Sequence, residues 1–219
     1  MVNLSNQQKG SLLAFVGVMF ITPDSLFIRL SSIDTWELLF YRGAIPSVVI
    51  LIALILFYKS NLIKVTLAMG LAGLFYALTF SVTNITFIVS IQNTNVANTL
   101  VMIATAPMLS AILAAVFLKE NPDKNTWIAI LITFLAVVYI FFDSFKLGNF
   151  FGDIFGLITA LGLAVGANII RSVRDKDLVP AAVIGKFLVA IFALFFVDNL
   201  ILQGRDNIIV PLMLSLIHI

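Results

Sequence analysis

The sequence predicts an all-α protein, a polytopic transmembrane helix bundle, and three observations predict it. Of the 219 residues, 61% are hydrophobic and 11% charged, with a mean hydropathy of +1.12; a water-soluble domain carries roughly a quarter charged residues. The apolar residues fall in long runs of about 20, the length at which a helix crosses the ~30 Å hydrocarbon layer. Nowhere do apolar and polar residues alternate over about ten positions, as in a transmembrane β-strand. Hydrocarbon offers the backbone no partners, so each run must satisfy its own N–H and C=O groups as a helix.

Taken in order, the expected spans are Ser11–Leu30, Trp36–Tyr58, Val65–Ile88, Val96–Leu118, Thr126–Phe142, Gly152–Ile170 and Pro180–Leu202, with an eighth opening near Ile208. The first run has no small-residue cleavage site behind it and reads as a retained helix rather than a signal peptide. Short polar connections such as Lys59-Ser60-Asn61 separate the spans, and no soluble domain is inserted. Lys9, Lys59, Lys64, Lys119, Lys124, Arg171, Arg174 and Lys176 fall on the N-terminal side, against Arg29, Lys146 and Arg205 on the other. By the positive-inside rule the N-terminus is cytoplasmic. The net charge of +2 comes from these flanking residues and gives no reason to expect nucleic acid. With no Cys, thiolate chemistry and disulfides are excluded.

The chain also repeats itself. Gly10 falls on Gly152 and Arg29 on Arg171, both 142 positions on, so Thr22-Pro23-Asp24-Ser25-Leu26-Phe27-Ile28-Arg29 lies over Ala164-Val165-Gly166-Ala167-Asn168-Ile169-Ile170-Arg171. An odd number of spans separates the copies, which gives them opposite topology. Inverted repeats of this kind mark secondary transporters, with the solute site at the repeat interface. Chance alignment of two apolar helices is the competing explanation.

At the third and fourth spans the sequence resembles a known family. The run from Phe87 through Gln92-Asn93-Thr94-Asn95 to Leu100 is similar to the junction of helices 3 and 4 in EamA-type permeases of the drug/metabolite transporter superfamily. Ala106-Pro107, Phe117-Leu118-Lys119-Glu120, Phe40-Tyr41-Arg42-Gly43 and Gly152-Asp153 fit the same pattern in order and spacing. The resemblance extends to about Met213 and implies ten helices in two inverted five-helix halves. It implies transport of a small metabolite, often export, from the bacterial inner membrane, and does not name the solute. On this basis residues 1–143 form the first five-helix repeat and 144–213 the start of a truncated second one. The last six residues, Leu214-Ser215-Leu216-Ile217-His218-Ile219, correspond to the translation of CTGTCTCTTATACACATC, the transposase mosaic-end adaptor of sequencing libraries. Residues 214–219 are therefore read as an artefact, and with them the single His.

Charges inside a membrane helix cost about 2.5–3.5 kcal/mol each on insertion scales, so each asks for a reason. Asp24, late in the first span, and Arg42, early in the second, both lie roughly 9 Å below the outer surface at 1.5 Å rise per residue. Matched depth makes them an expected ion pair, either a gate or solute site or a structural tie. Pro23 withholds a backbone donor and should kink the first helix beside Asp24. Lys186 mirrors Arg42 from the cytoplasmic side, and reaching back to the interface is its expected course. Thr79, Thr83, Thr86 and Ser90 share one helix face, as the lining of a polar path or as hydroxyls bonded to their own backbone. Asn84, Asn98 and Thr99 add polar groups nearby. Gly152, Gly156, Gly162 and Gly166 suggest close helix packing. No constellation here suits an enzyme, a metal or a cofactor. The expected partners are the bilayer and a small-molecule solute moved by alternating access, with homodimerisation left open. The competing function is a lipid-handling or assembly factor of the same fold.

Overall fold

In a computed structural model of the chain, the described residues are 23–120, 122–147 and 150–198, with Gly10, Leu12, Phe15, Val16, Met19, Leu200 and Val210. Among them every regular element is helical. Those before Asp34, with Leu200 and Val210, belong to one compact unit, and those from Asp34 to Asp198 to another. In the first unit, α1 (Asp24–Leu30) opens directly after Pro23, which caps it in a helical conformation. It ends where the first span was expected to end, and the Ser31 hydroxyl donates to the Ile28 carbonyl at 2.8 Å. Residues 20–22, where the expected kink falls, lie outside the described residues, as does most of the expected eighth span.

The second unit contains α2 (Thr35–Tyr58), a 3-10 turn at Lys59–Asn61, α3 (Leu62–Ala68), α4 (Gly70–Asn93), α5 (Val96–Ile103), α6 (Ala106–Phe117), α7 (Lys124–Leu147), α8 (Phe150–Ser172) and α9 (Val179–Leu194). Short polar caps start these helices by satisfying first-turn N–H groups. Asp34 accepts from the Trp36 N–H at 2.9 Å, Asn95 from Ala97 at 3.0 Å, Asp123 from Thr126 at 2.9 Å and Asp177 from Val179 at 2.9 Å. The Thr126 hydroxyl also donates to Asp123, and these bonds hold that exposed carboxyl below the usual carboxylate range. Among the described residues five stretches are long and apolar enough to cross a membrane, and α9 is a shorter apolar helix. The protein is a multi-pass membrane bundle.

Two expected spans are corrected. The fourth crosses as one stretch, Val96–Phe117, with a local interruption at Ala104-Thr105, because Pro107 has no N–H for the Ile103 carbonyl and its ring crowds that turn. Thr105 closes the break by donating its N–H and hydroxyl to the Met102 carbonyl at 3.0 and 2.6 Å. The third starts five residues late, since Gly70 takes a left-handed φ of +59° that ends α3 and redirects the chain. The seventh stops at Leu194, where Phe196 and Val197 donate back to Ala193 and the chain leaves the helix before Asp198.

The helices form an up-and-down layer. α4 lies at its centre, antiparallel to α8 on one side and parallel to α9 on the other, while α2 runs antiparallel to α9 and α5–α6 flank α8. α7 packs mainly on α8 and presents Ile128, Leu131, Ile132, Leu135, Tyr139 and Phe142 outward. Such an apolar exterior needs lipid around it. At one end of the bundle Tyr58 bonds Asp177, and Arg171 pairs with Glu120 at 2.6 Å. At the other, the Thr35 hydroxyl bonds Gln92.

Candidate functional site

The α4–α8 contact is built on glycine. A Cβ added at Gly152 would lie 2.5 Å from the Asn93 backbone, and one at Gly162 would lie 2.1 Å from the Thr83 hydroxyl. One at Gly156 would crowd Met102 and the Ser90 hydroxyl. The close packing expected of this glycine series is therefore present at three of its members, with Gly166 in ordinary contact with Tyr76. Small residues let the backbones approach until hydroxyls bridge them. Thr86 and Thr159 share a hydrogen bond of 2.8 Å, as do Ser90 and Thr99. Thr83, Thr86 and Ser90 are buried in this seam, and Thr83 and Thr86 also donate to their own helix, at Thr79 and Val82. Thr79 and Asn98 are half-buried.

On the opposite flank of α4, α9 approaches as closely. A Cβ at Gly185 would meet the Ala77 carbonyl at 2.8 Å, and one at Gly43 of α2 would meet the α9 backbone at Lys186 and Ala190. Between these contacts Lys186 is buried, only 8% exposed, and its Nζ donates to the Asn84 Oδ1 at 2.8 Å. The ammonium also stands 5.6 Å from the Phe80 ring centre, and Asn84 donates its Nδ2 to the Phe80 carbonyl at 2.7 Å. The expectation that Lys186 reaches back to the cytoplasmic interface is thus overturned. Its helix packs on both sides, so the side chain turns inward to an amide and an aromatic face.

Asp24 and Arg42, 5% and 7% exposed, belong to different units.

A profile of the EamA-like transporter family matches residues 8–142, well over half the chain. The chain belongs to the EamA-like transporter family. None of the curated proteins and none of the solved structures compared with it matches. EamA-like membership makes the chain a membrane protein of the drug/metabolite transporter type, from a family of transporters rather than enzymes. In this EamA-like bundle the sequence-expected residues Thr83, Thr86, Ser90, Asn84 and Lys186 come together around α4, which carries one set on each flank.

Two polar positions escaped the sequence reading. Asp153, quoted there only within the family resemblance, is fully buried near the start of α8 and accepts from the Thr94 hydroxyl at 2.6 Å. Asn168 ties α8 to α6 by donating to the Ser110 hydroxyl at 3.0 Å, and it also donates to the Ala164 carbonyl of its own helix at 2.8 Å. Both sit in long apolar helices, and that was the available signal. Periodicity does not say which neighbour they face.

Proposed function

We propose that this EamA-like protein is a secondary transporter that exports a small, amino acid-like metabolite across the bacterial inner membrane by alternating access. The observation that carries the reading is the buried Lys186–Asn84 pair in the core of a transporter-family bundle. A cation kept inside apolar helices is costly and is retained for a task; an ammonium beside an amide suits a solute carboxylate. The glycine seam between α4 and α8 supports the reading, because backbones in contact through small residues can slide without unpacking large side chains.

The charge asymmetry supports a cytoplasmic N-terminus, and the family match over 8–142 supports a first five-helix half ending at 143, with 144–213 opening its inverted partner. Asp24, Arg42, Thr79, Thr83, Asn84, Asn98 and Lys186 are the solute-path residues of this reading. Everted vesicles from cells producing the chain, offered a panel of labelled amino acids, should accumulate one of them saturably. Lys186→Gln should lower that accumulation about tenfold, equivalent to ~1.4 kcal/mol, at unchanged abundance. Accumulation no greater than in vesicles lacking the protein would contradict the proposal.

A further inference from the structure

The helical run from Thr35 to Ala68 is too long to lie wholly in hydrocarbon. Its 34 residues would extend about 51 Å at 1.5 Å per residue, against a layer of ~30 Å. The chain takes up the excess with two left-handed corners. Lys59 ends α2 at a φ of +49°, and Gly70 follows α3 at +59°. Between them the 3-10 turn and α3 form a separate short segment, at the end of the bundle where Tyr58 bonds Asp177.

α3 has three faces. Leu62 and Thr66, one turn apart, are half-buried and turn towards α2 and α9. Ile63 and Leu67, 73% and 74% exposed, share a second face. Lys64 and Ala68, also exposed, share a third. A helix with one apolar and one cationic stripe at the end of a membrane bundle lies in the interface. Its apolar stripe enters the acyl boundary and its charges stay among the headgroups.

Lysines flank α3 at both ends. Lys59 precedes it, and at its far end a Cβ on Gly70 would lie 3.8 Å from the Lys176 Nζ. Lys59, Lys64 and Lys176 are all exposed, as is Arg174. The carboxylates of the loop before α9 are Asp175 and Asp177, and Asp177 is occupied by the Tyr58 hydroxyl and the Val179 N–H. Beneath α3, between α2 and α9, lies a cavity of about 140 Å³ whose lining includes Leu54, Leu62, Thr66, Pro180, Ile184 and Phe187. Ile184 is partly exposed, so the slot reaches the exterior there.

We propose that α3 docks an acidic phospholipid. Lys59, Lys64 and Lys176 hold headgroup phosphate, Ile63 and Leu67 enter the acyl boundary, and an acyl chain occupies the slot beneath α3. Charge complementarity selects this occupant: lysines near a membrane surface favour anionic lipid, whereas a zwitterionic headgroup brings a cation of its own. A free phosphate has nothing to place in an apolar slot. The inference stands whether or not the protein moves a solute.

Lipid retained by the purified full chain in detergent, read by native mass spectrometry, tests the site. The wild type should retain phosphatidylglycerol over phosphatidylcholine by about tenfold. Combining Lys59→Gln, Lys64→Gln and Lys176→Gln should bring that ratio near one, and the three corresponding Arg substitutions should keep it. Equal retention of the two lipids by the wild type, or an unchanged ratio in the Gln variant, would overturn the proposal. Excess glycerol phosphate, a headgroup without chains, should not displace the lipid; displacement would show a free-phosphate site and overturn the lipid reading. Ile184→Trp narrows the mouth of the slot and should lower phosphatidylglycerol retention several-fold, and unchanged retention would overturn the acyl-chain assignment. The placement of α3 is read in lipid vesicles. The chain has no Cys, so Ile63→Cys, Leu67→Cys and Lys64→Cys each carry a single spin label. Labels at 63 and 67 should be relaxed mainly by oxygen, and the label at 64 by a water-soluble nickel complex. The same accessibility at all three positions would overturn the interfacial placement.

Discussion

Lys186 shows what a single residue reveals in sequence and what it conceals. Its depth in an apolar helix was legible, and so was the cost of leaving a charge there. Its direction was not, because α9 is apolar on every face and offers no polar stripe to orient it. The structure settles the direction through two close backbone contacts, at Gly185 and Gly43, which leave the side chain facing Asn84. Replacing Asn84 by Leu removes an acceptor from a buried ammonium and should lower stability by about 1–3 kcal/mol. Thermal unfolding in detergent checks this, and adding Lys186→Met should restore much of the loss, because the cation that needed the amide is gone. Additive losses in the double variant would show that the two residues act independently. The Arg171–Glu120 pair is different in kind. Both side chains are more than 40% exposed, so Arg171→Ala should change stability by no more than ~1 kcal/mol, measured in the same assay.

At the scale of elements, the glycines of α8 were readable as a packing face, and the structure supplies what they pack against. Gly152 meets the backbone at the end of α4, whereas Gly166 has ordinary clearance to Tyr76. Gly152→Leu should therefore overpack the junction and cost about 1–3 kcal/mol, while Gly166→Ala should be near neutral. Size-exclusion profiles after graded heating would separate the two, and equal behaviour would show that the α4–α8 contact is looser than described. The break between α5 and α6 was less legible. Ala106-Pro107 lies inside an otherwise continuous apolar run, and a proline there permits a kink without dictating it. What marks the interruption is Thr105, which turns its hydroxyl back to Met102. The late start of α4 has a similar origin, since hydropathy runs on through Met69-Gly70 and only the left-handed φ of Gly70 marks the corner.

For the whole molecule, composition alone was enough for the class: a chain this apolar has no way to cover itself in water. The up-and-down order of the helices followed from short loops, and the antiparallel pairing of α4 with α8 agrees with it. Which helix lies at the centre was not legible, because no periodicity distinguishes α4 from its equally apolar neighbours. By the positive-inside rule the loop charges predict a cytoplasmic N-terminus, so reporter fusions at Asn61 and Asp175 should be active only in the cytoplasm, with one at Asn95 active only outside. The opposite pattern would invert the proposed export direction.

Solute flux into proteoliposomes, counted per folded molecule, tests the central claim that this chain is a transporter. Purified wild type should drive saturable counterflow of at least one labelled amino acid-like solute, and Lys186→Gln, folded to the same extent, should lose most of that flux. Leakage that rises linearly with solute concentration, identical in both proteins and in empty liposomes, would contradict it.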